Sequence, residues 1–275
     1  MDRSTAVLVT GCSSGIGLAS AREMKRRGWR VFATARKPQD IARLKDEEGV
    51  DSLYLDYTEP DSIEAAADQV LQATGGTLDA LFNNGAYGQP GAFEDLKPDV
   101  LRAQFEANFF GWHDLTARII PVMRAQGAGR IVFCSSVFGF IAAPYRGAYC
   151  ASKFAVEALA YTLRLELAGT GIKVSLIEPG PIASRFLETL EAQGRHIDVE
   201  SSPHGEIYRD RIARLQAGAS RTFALGPEAV AAKVAHALES RNPKRRYYVT
   251  LPAYAAALLH RVLPTWALDA IVARN

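Results

Sequence analysis

The 275 residues carry 32 basic side chains against 30 acidic ones, a net charge of +2, and 48% of them are hydrophobic. That balance supplies ample material for a core and lacks the basic excess of a nucleic-acid binder, so it argues against global disorder and against a nucleic-acid partner. Cys12, Cys134 and Cys150 are widely spaced and odd in number, which fits a reducing, cytoplasmic setting better than a disulfide framework.

Met1 to Thr5 lead straight into the apolar Ala6-Val7-Leu8-Val9-Thr10, unlike the layout of a secretion signal. That stretch reads as a buried strand. It runs into Gly11-Cys12-Ser13-Ser14-Gly15-Ile16-Gly17, and a helix follows from Leu18 to Arg27. Strand, glycine turn and helix open a βαβ unit. In such a turn the glycines permit a sharp reversal, close approach of backbone to a pyrophosphate and tight packing of helix on strand, while the helix N-terminus offers unpaired N–H groups. The spacing is Gly-x-x-x-Gly-x-Gly, not the commoner Gly-x-Gly-x-x-Gly.

The alternation continues with a strand over Arg30 to Ala35, a helix over Gln39 to Glu48, a strand over Asp51 to Asp56 and a helix from Pro60 to Ala73. Asp79 to Asn83 reads as the fourth strand. Pro98 to Gln126 is expected to be one long helix, kinked or bounded at Pro121. A fifth strand (Arg130 to Cys134), a helix (Tyr149 to Ala168), a sixth strand (Lys173 to Ile177), a helix from Pro227 to Ser240 and a seventh strand (Arg246 to Thr250) complete the series. The pattern predicts a single-domain α/β fold, a Rossmann-type doubly wound parallel sheet of about seven strands with helices on both faces. Residues 1–250 would form the catalytic domain, with a substrate lid at about 183–220, and ligands would sit outside the carboxyl ends of the strands.

Beyond Thr250, residues 251–275 form an apolar, helix-like extension broken by Pro264, with Tyr254, Leu258, Leu259, Val262, Trp266 and Ile271 among its large side chains. It would pack over the substrate cleft, against another subunit or on a membrane surface. No run of roughly eighteen apolar residues exists, so no membrane-spanning helix is expected.

Tyr149 and Lys153 stand four residues apart, one turn along a single helix face. Free tyrosine titrates near pH 10, so losing its proton at neutrality costs about 4 kcal/mol. A lysine charge about 4 to 5 Å away, at an effective dielectric near 20, returns roughly 3 to 4 kcal/mol. The pair is therefore suited to exchanging protons near neutrality, with burial of the phenol opposing it. Cys150 beside them reads as a small buried residue.

Thr10-Gly11-x-x-x-Gly15-Ile16-Gly17, Asn83-Asn84-Gly85, Asn108, Ser136, Tyr149-x-x-x-Lys153 and Pro179-Gly180 occur in this order, with Ser136 thirteen residues before Tyr149. In these motifs the chain resembles the short-chain dehydrogenase/reductase family from about Ala6 to Thr250. The strings Cys134-Ser135-Ser136-Val137-Phe138-Gly139 and Ile177-Glu178-Pro179-Gly180-Pro181 resemble the branch holding 17β-hydroxysteroid and retinol dehydrogenases and related bacterial aldehyde reductases.

The resemblance implies hydride transfer between a nicotinamide cofactor and a carbonyl carbon, with a proton delivered to oxygen. Tyr149 would be the acid in reduction and the base in oxidation. Lys153 would lower its pKa and bind the nicotinamide ribose, Ser136 would donate to the substrate oxygen, and Asn108 would hold a water linking Lys153 to solvent. Gly11, Ser13, Ser14, Gly15, Ile16, Gly17, Asn83, Gly85, Pro179, Gly180, Ile182 and Ser184 would contact the cofactor, and Asp56 would meet the adenine amino group. The second strand ends in Thr34-Ala35-Arg36-Lys37, without the carboxylate of NAD-selective members, so NADP(H) is expected, with Arg36 on its 2′-phosphate.

Two departures stand out. Asn83-Asn84-Gly85-Ala86 transposes the last two residues of the usual Asn-Asn-Ala-Gly, and Ser184 replaces a threonine. Phe138, Phe140, Ile141, Ala142, Phe186, Leu187 and Leu190 point to a small apolar aldehyde, ketone or alcohol as substrate. Tyr145 would be a pocket wall. Arg195, Arg209, Arg211 and Arg214 would form a solvated face, the alternative being recognition of an acidic group on the substrate. No metal site is expected. A homodimer or homotetramer is the expected assembly. The alternative readings are a 3-oxoacyl-carrier-protein reductase and a non-catalytic NADP-sensing protein.

Overall fold

The computed structural model describes residues 5–194, 197–216 and 223–273. Among them, β1 (Ala6–Val9), β2 (Arg30–Ala35), β3 (Asp51–Tyr54), β4 (Ala80–Asn83), β5 (Gly129–Cys134), β6 (Ile172–Pro179) and β7 (Arg246–Val249) form one parallel sheet in the order β3-β2-β1-β4-β5-β6-β7. Its centre is apolar on both faces: Val7, Leu8 and Val9 of β1 and Leu81 and Phe82 of β4 are fully buried. Strands covered on both sides read as continuous apolar runs for this reason. Leu8 stands opposite Phe32 on one side and Leu81 on the other. From β1 the chain winds outward to β3, then returns to start again at β4. The connections leave in opposite directions there, and a crevice opens above the carboxyl ends.

The helices are α1 (Gly15–Arg26), α2 (Pro38–Asp46), α3 (Pro60–Ala73), α4 (Pro98–Phe105), α5 (Gly111–Gln126), α6 (Gly147–Glu166), α7 (Phe186–Gly194), α8 (Gly205–Gln216), α9 (Pro227–Glu239), α10 (Leu251–Val262) and α11 (Thr265–Val272). Proline occupies the first turn of α2, α3, α4 and α9, where its missing N–H costs nothing.

The long helix expected from Pro98 to Gln126 is interrupted, but not at Pro121. A π-helical turn over Glu106–Phe110 separates α4 from α5, and Pro121 lies inside α5. A proline sacrifices one backbone bond, and the fully buried Ile119 and Met123 beside it keep this stretch helical by packing. The π turn carries Asn108 to a fully buried position.

β7 passes into α10 through the single residue Thr250, which has φ 88° and accepts a hydrogen bond from the Ala253 N–H at 3.4 Å. A β-branched residue with positive φ is strained. Thr250 is held there by burial and by close contact with Gly180, whose missing side chain makes room for its hydroxyl. No helix among the described residues is long and apolar enough to cross a membrane.

Candidate active site

A cleft of about 790 Å³ lies over the carboxyl ends of the central strands. One end is built by the glycine turn. Gly11 has φ +68°, and a Cβ there would stand 2.5 Å from the Cα of Gly85. A Cβ on Gly17 would strike the Gly11 carbonyl. The two loops therefore pack backbone to backbone, and Gly17 lies beneath the cleft rather than in its wall. Gly11, Ser13, Ser14, Gly15 and Ile16 line it. The first turn of α1 has no acidic residue, and Ser14 makes no side-chain cap. Its N–H groups are available to an anion, so the turn fits a pyrophosphate.

Arg36 and Asp56 line the outer edge of this end, 3.4 Å apart, with the Arg36 side chain 67% exposed. Asp56 also accepts from the backbone and hydroxyl of Thr58, both at 2.9 Å. An exposed pair of this kind is weak, so Arg36 can turn to a stronger anion.

Asn83 sits under the floor. Its amide donates to the Thr116 hydroxyl at 2.9 Å, and its oxygen accepts from the Tyr57 hydroxyl at 2.8 Å. The neighbour, Asn84, lines the cleft and donates to the Thr10 carbonyl at 3.0 Å. Alternation along a strand, with Asn83 as its last inward residue, is the signal that separates the two. The transposed Gly85-Ala86 brings no strain, since neither residue has positive φ. Gly85 lines the cleft and is small for the sake of Gly11.

At the other end Ser136, Tyr149 and Lys153 line one wall. Ser136 leaves β5 in an extended conformation, its Oγ accepting from the Phe138 N–H at 3.2 Å. Lys153 is 2% exposed and donates to the Cys134 carbonyl at 2.8 Å. Its ammonium lies 4.4 Å from the Trp112 ring centroid and 5.7 Å from that of Tyr149.

This corrects the expected balance. Burial pushes the Tyr149 phenol above its ordinary range, and the groups that pull it back are the Ser136 hydroxyl and the charge of Arg146, not Lys153. Burial also pushes Lys153 down to about 8, against the opposing influence of Cys134 and Glu157. In both groups desolvation is the largest influence. All three cysteines are buried and free, with burial raising Cys12 to about 12, Cys134 to about 11 and Cys150 above its usual value. None has thiolate character.

Asn108 is not part of the cleft wall. Its Nδ2 donates to the Tyr87 carbonyl at 2.8 Å and to the Ser152 hydroxyl at 3.2 Å, and its oxygen accepts from the Tyr87 N–H at 3.1 Å. It thus ties the loop after β4 to α6 at the residue preceding Lys153.

Pro179, Gly180, Ile182 and Ser184 border the cleft after β6, where Ile182 bridges to Leu225 and Ser184 accepts from the Phe186 N–H at 3.4 Å. Phe138, Ile141 and Phe186 supply apolar walls, and the rings of Phe138 and Phe186 lie 6.3 and 5.3 Å from that of Tyr149. Pro252, Ala255 and Leu259 of α10 and Leu268 and Ile271 of α11 close the same side.

Phe140 and Ala142 are not in the wall. Phe140 instead anchors α10, its ring 5.8 Å from Tyr248 and 6.1 Å from His260. Arg195 and the side chains of Leu187 and Leu190 lie outside the described residues. Arg209 and Arg214 are exposed and paired with Glu200 and Asp210, whereas Arg211, expected on the same face, turns into the cleft. Tyr145 stands behind Arg211, not in the wall, with their contact at 4.6 Å. Arg146 and Trp112 were missed by sequence reasoning and Arg211 was read first as solvated, because their placement depends on tertiary packing and no short motif marks them.

The model of the short chain dehydrogenase family matches residues 5–194. The chain is 45% identical over 266 residues to the uncharacterized oxidoreductase YbbO of Escherichia coli (strain K12), covering 97% of this chain and 93% of that one. It is 32% identical over 260 residues to 17-beta-hydroxysteroid dehydrogenase type 1 of Homo sapiens, covering 90% and 77%. A short chain dehydrogenase/reductase from Burkholderia phymatum, solved in complex with NAD, superposes with a TM-score of 0.78 at 28% identity over 95% of both chains.

Proposed function

The chain belongs to the short chain dehydrogenase family of oxidoreductases, and from that premise we propose that it uses NADP(H) to interconvert an apolar aldehyde or ketone with its alcohol. The observation that carries this reading is the shared wall of Ser136, Tyr149 and Lys153, set between a glycine turn suited to pyrophosphate and an apolar enclosure. When bound, the nicotinamide supplies the hydride in reduction and receives it in oxidation.

The protein's own part is to bind, orient and move a proton. The open N–H groups of α1 and the Gly11 turn hold the diphosphate, Arg36 takes the 2′-phosphate, and Asp56 meets the adenine. Ser136 donates to the carbonyl oxygen of the substrate. Tyr149, kept protonated by burial, is the acid that completes the alcohol. Lys153 carries the charge that favours the phenolate once its proton has gone and binds the nicotinamide ribose. Asn108 positions α6 beneath Lys153 and holds the water that leads to solvent. Residues 183–220, which include α7 and α8, act as the lid.

Three buried free thiols support a cytoplasmic setting. The exposed Phe110, Phe154, Tyr161 and Leu165 near and along α6 support assembly into a homo-oligomer.

NADPH oxidation across a panel of aliphatic and aromatic aldehydes and ketones, repeated with Tyr149→Phe, tests the proposal. Turnover that falls at least about a hundredfold in the variant, with NADPH binding retained, is expected from loss of a general acid. Equal turnover in both proteins sinks the assignment of Tyr149, and NADPH binding without turnover of any carbonyl favours a sensing protein.

A further inference from the structure

Arg146 and Arg211 come from different elements, the residue before α6 and the middle of α8, and both line the substrate end of the cleft. Neither has a carboxylate within ion-pair reach among the described residues. Each guanidinium is held by an aromatic face: Arg146 lies 5.1 Å over the Phe138 ring and Arg211 4.6 Å over the Tyr145 ring. Stacking fixes the plane of a guanidinium and leaves its N–H fork free for an oxyanion. The neighbours on α8 differ, since Arg209 and Arg214 face outward and are satisfied by Glu200 and Asp210. Among the described residues lining the cleft, Asp56 is the one acid, and it is engaged with Arg36 beyond β2. With Lys153 and Arg185 also in the lining, Arg146 and Arg211 meet no acid among the described residues of the substrate end.

Their proximity sharpens the point. Burial lowers the Arg146 pKa, and the charge of Arg211 lowers it further. Two like charges gathered in a half-buried wall repel each other unless a negative group joins them. Phe138, which carries Arg146, also lies beside Tyr149, so the cations and the proton donor face one substrate.

We propose that Arg146 and Arg211 form an oxyanion subsite, and that the preferred substrate is a carbonyl compound with an apolar body and one carboxylate or phosphate group. The substrate half of this statement rests on the oxidoreductase reading above; the anion site stands on its own geometry.

Two measurements on the full-length protein separate the parts. In the first, calorimetry compares binding of 4-methylbenzoate, phenyl phosphate and the neutral methyl 4-methylbenzoate to wild type, Arg211→Ala, Arg146→Gln and the outward-facing Arg214→Ala. Both anions, or one of them, should bind more tightly than the ester. Each cleft variant should lose about 10- to 100-fold in anion affinity, as for a charged hydrogen-bond partner, while Arg214→Ala matches wild type. The stronger anion tells carboxylate from phosphate. Should one cleft variant fail to fold, the other carries the same comparison.

In the second, NADPH-dependent reduction of 4-carboxybenzaldehyde is compared with that of its methyl ester. The acid-to-ester ratio of kcat/KM should exceed one and fall by a similar factor in Arg211→Ala. Anion affinity equal to that of the ester, or unchanged in both cleft variants, overturns the subsite. Anion binding without turnover of either aldehyde keeps the subsite and removes the proposed reaction.

Discussion

The ammonium of Lys153 rests 4.4 Å from the centroid of the Trp112 ring. Trp112 is fully buried, stacks on Phe133 and donates its indole N–H to the Gly85 carbonyl at 2.8 Å. One side chain thus supports the lysine and the loop that meets the glycine turn. A buried cation over an aromatic face is stabilised by about 2 kcal/mol. Trp112→Ala should lower stability by about 3 to 5 kcal/mol in denaturant unfolding. Trp112→Phe, which keeps a ring face and loses the N–H, should lower it less. A change under 1 kcal/mol in the alanine variant contradicts this account of the support.

In the proposed mechanism Lys153 should set the descending limb of the pH profile. Its pKa, lowered by burial to about 8, means that the charge proposed to favour the phenolate disappears as pH rises through that value. Carbonyl reduction at saturating NADPH should decline above about pH 8, and Lys153→Arg, whose charge persists, should flatten that decline whatever its absolute rate. A limb unchanged in Lys153→Arg assigns it to another group.

The same lysine has a stability signature. Its folded pKa lies below the unfolded 10.5, so between about 8 and 10.5 the unfolded chain binds more protons and stability rises with pH. Lys153→Met should therefore have a higher Tm than wild type at pH 7, with the gap narrowing as pH rises from about 8 to 10.5. A lower Tm at pH 7 would mean that the hydrogen bond to Cys134 and the Trp112 contact outweigh the desolvation.

Glu178 acts in the opposite window. It is fully buried at the end of β6, paired with Arg246, which also holds Glu157 at 2.8 Å. Burial, then the neighbouring Glu157, raise Glu178 to about 8. A folded pKa above the unfolded 4.5 means that the native state holds the extra proton, so stability falls as pH rises from about 4.5 to 8. Glu178→Gln keeps the shape and removes the titration, and its Tm should depend less on pH across that range. An identical slope in the two proteins rules Glu178 out as its source.

Arg36 should decide cofactor preference. Arg36→Ala is expected to raise KM for NADPH by about 10- to 100-fold, the loss of one charged hydrogen-bonding partner, and to leave KM for NADH nearly unchanged. Equal effects on both cofactors would place Arg36 elsewhere than on the 2′-phosphate.

What could be read from the chain alone depended on whether local rules decide the outcome. The apolar runs alternating with helices define the sheet, because a strand buried on both faces has few other ways to look. The glycine turn is legible for a similar reason: Gly11 and Gly17 occupy places where a single Cβ collides with backbone. Depth and direction are different. The Tyr149 to Lys153 spacing indicates a shared helix face, but not that the ammonium would settle over Trp112 and leave the phenol to desolvation. Arg211 shares α8 with two solvated arginines, and only the docking of that helix turns it inward. Likewise no local rule marks the π turn at Glu106–Phe110, whereas Pro121 was the more visible sign of a break.

Thr250 joins the last strand to α10 with no slack, its backbone held in a conformation that a longer connection would release. The α10 side of the cleft is thereby bolted to the sheet. The lid proposed for α7 and α8 would close against that bank as against a fixed jamb.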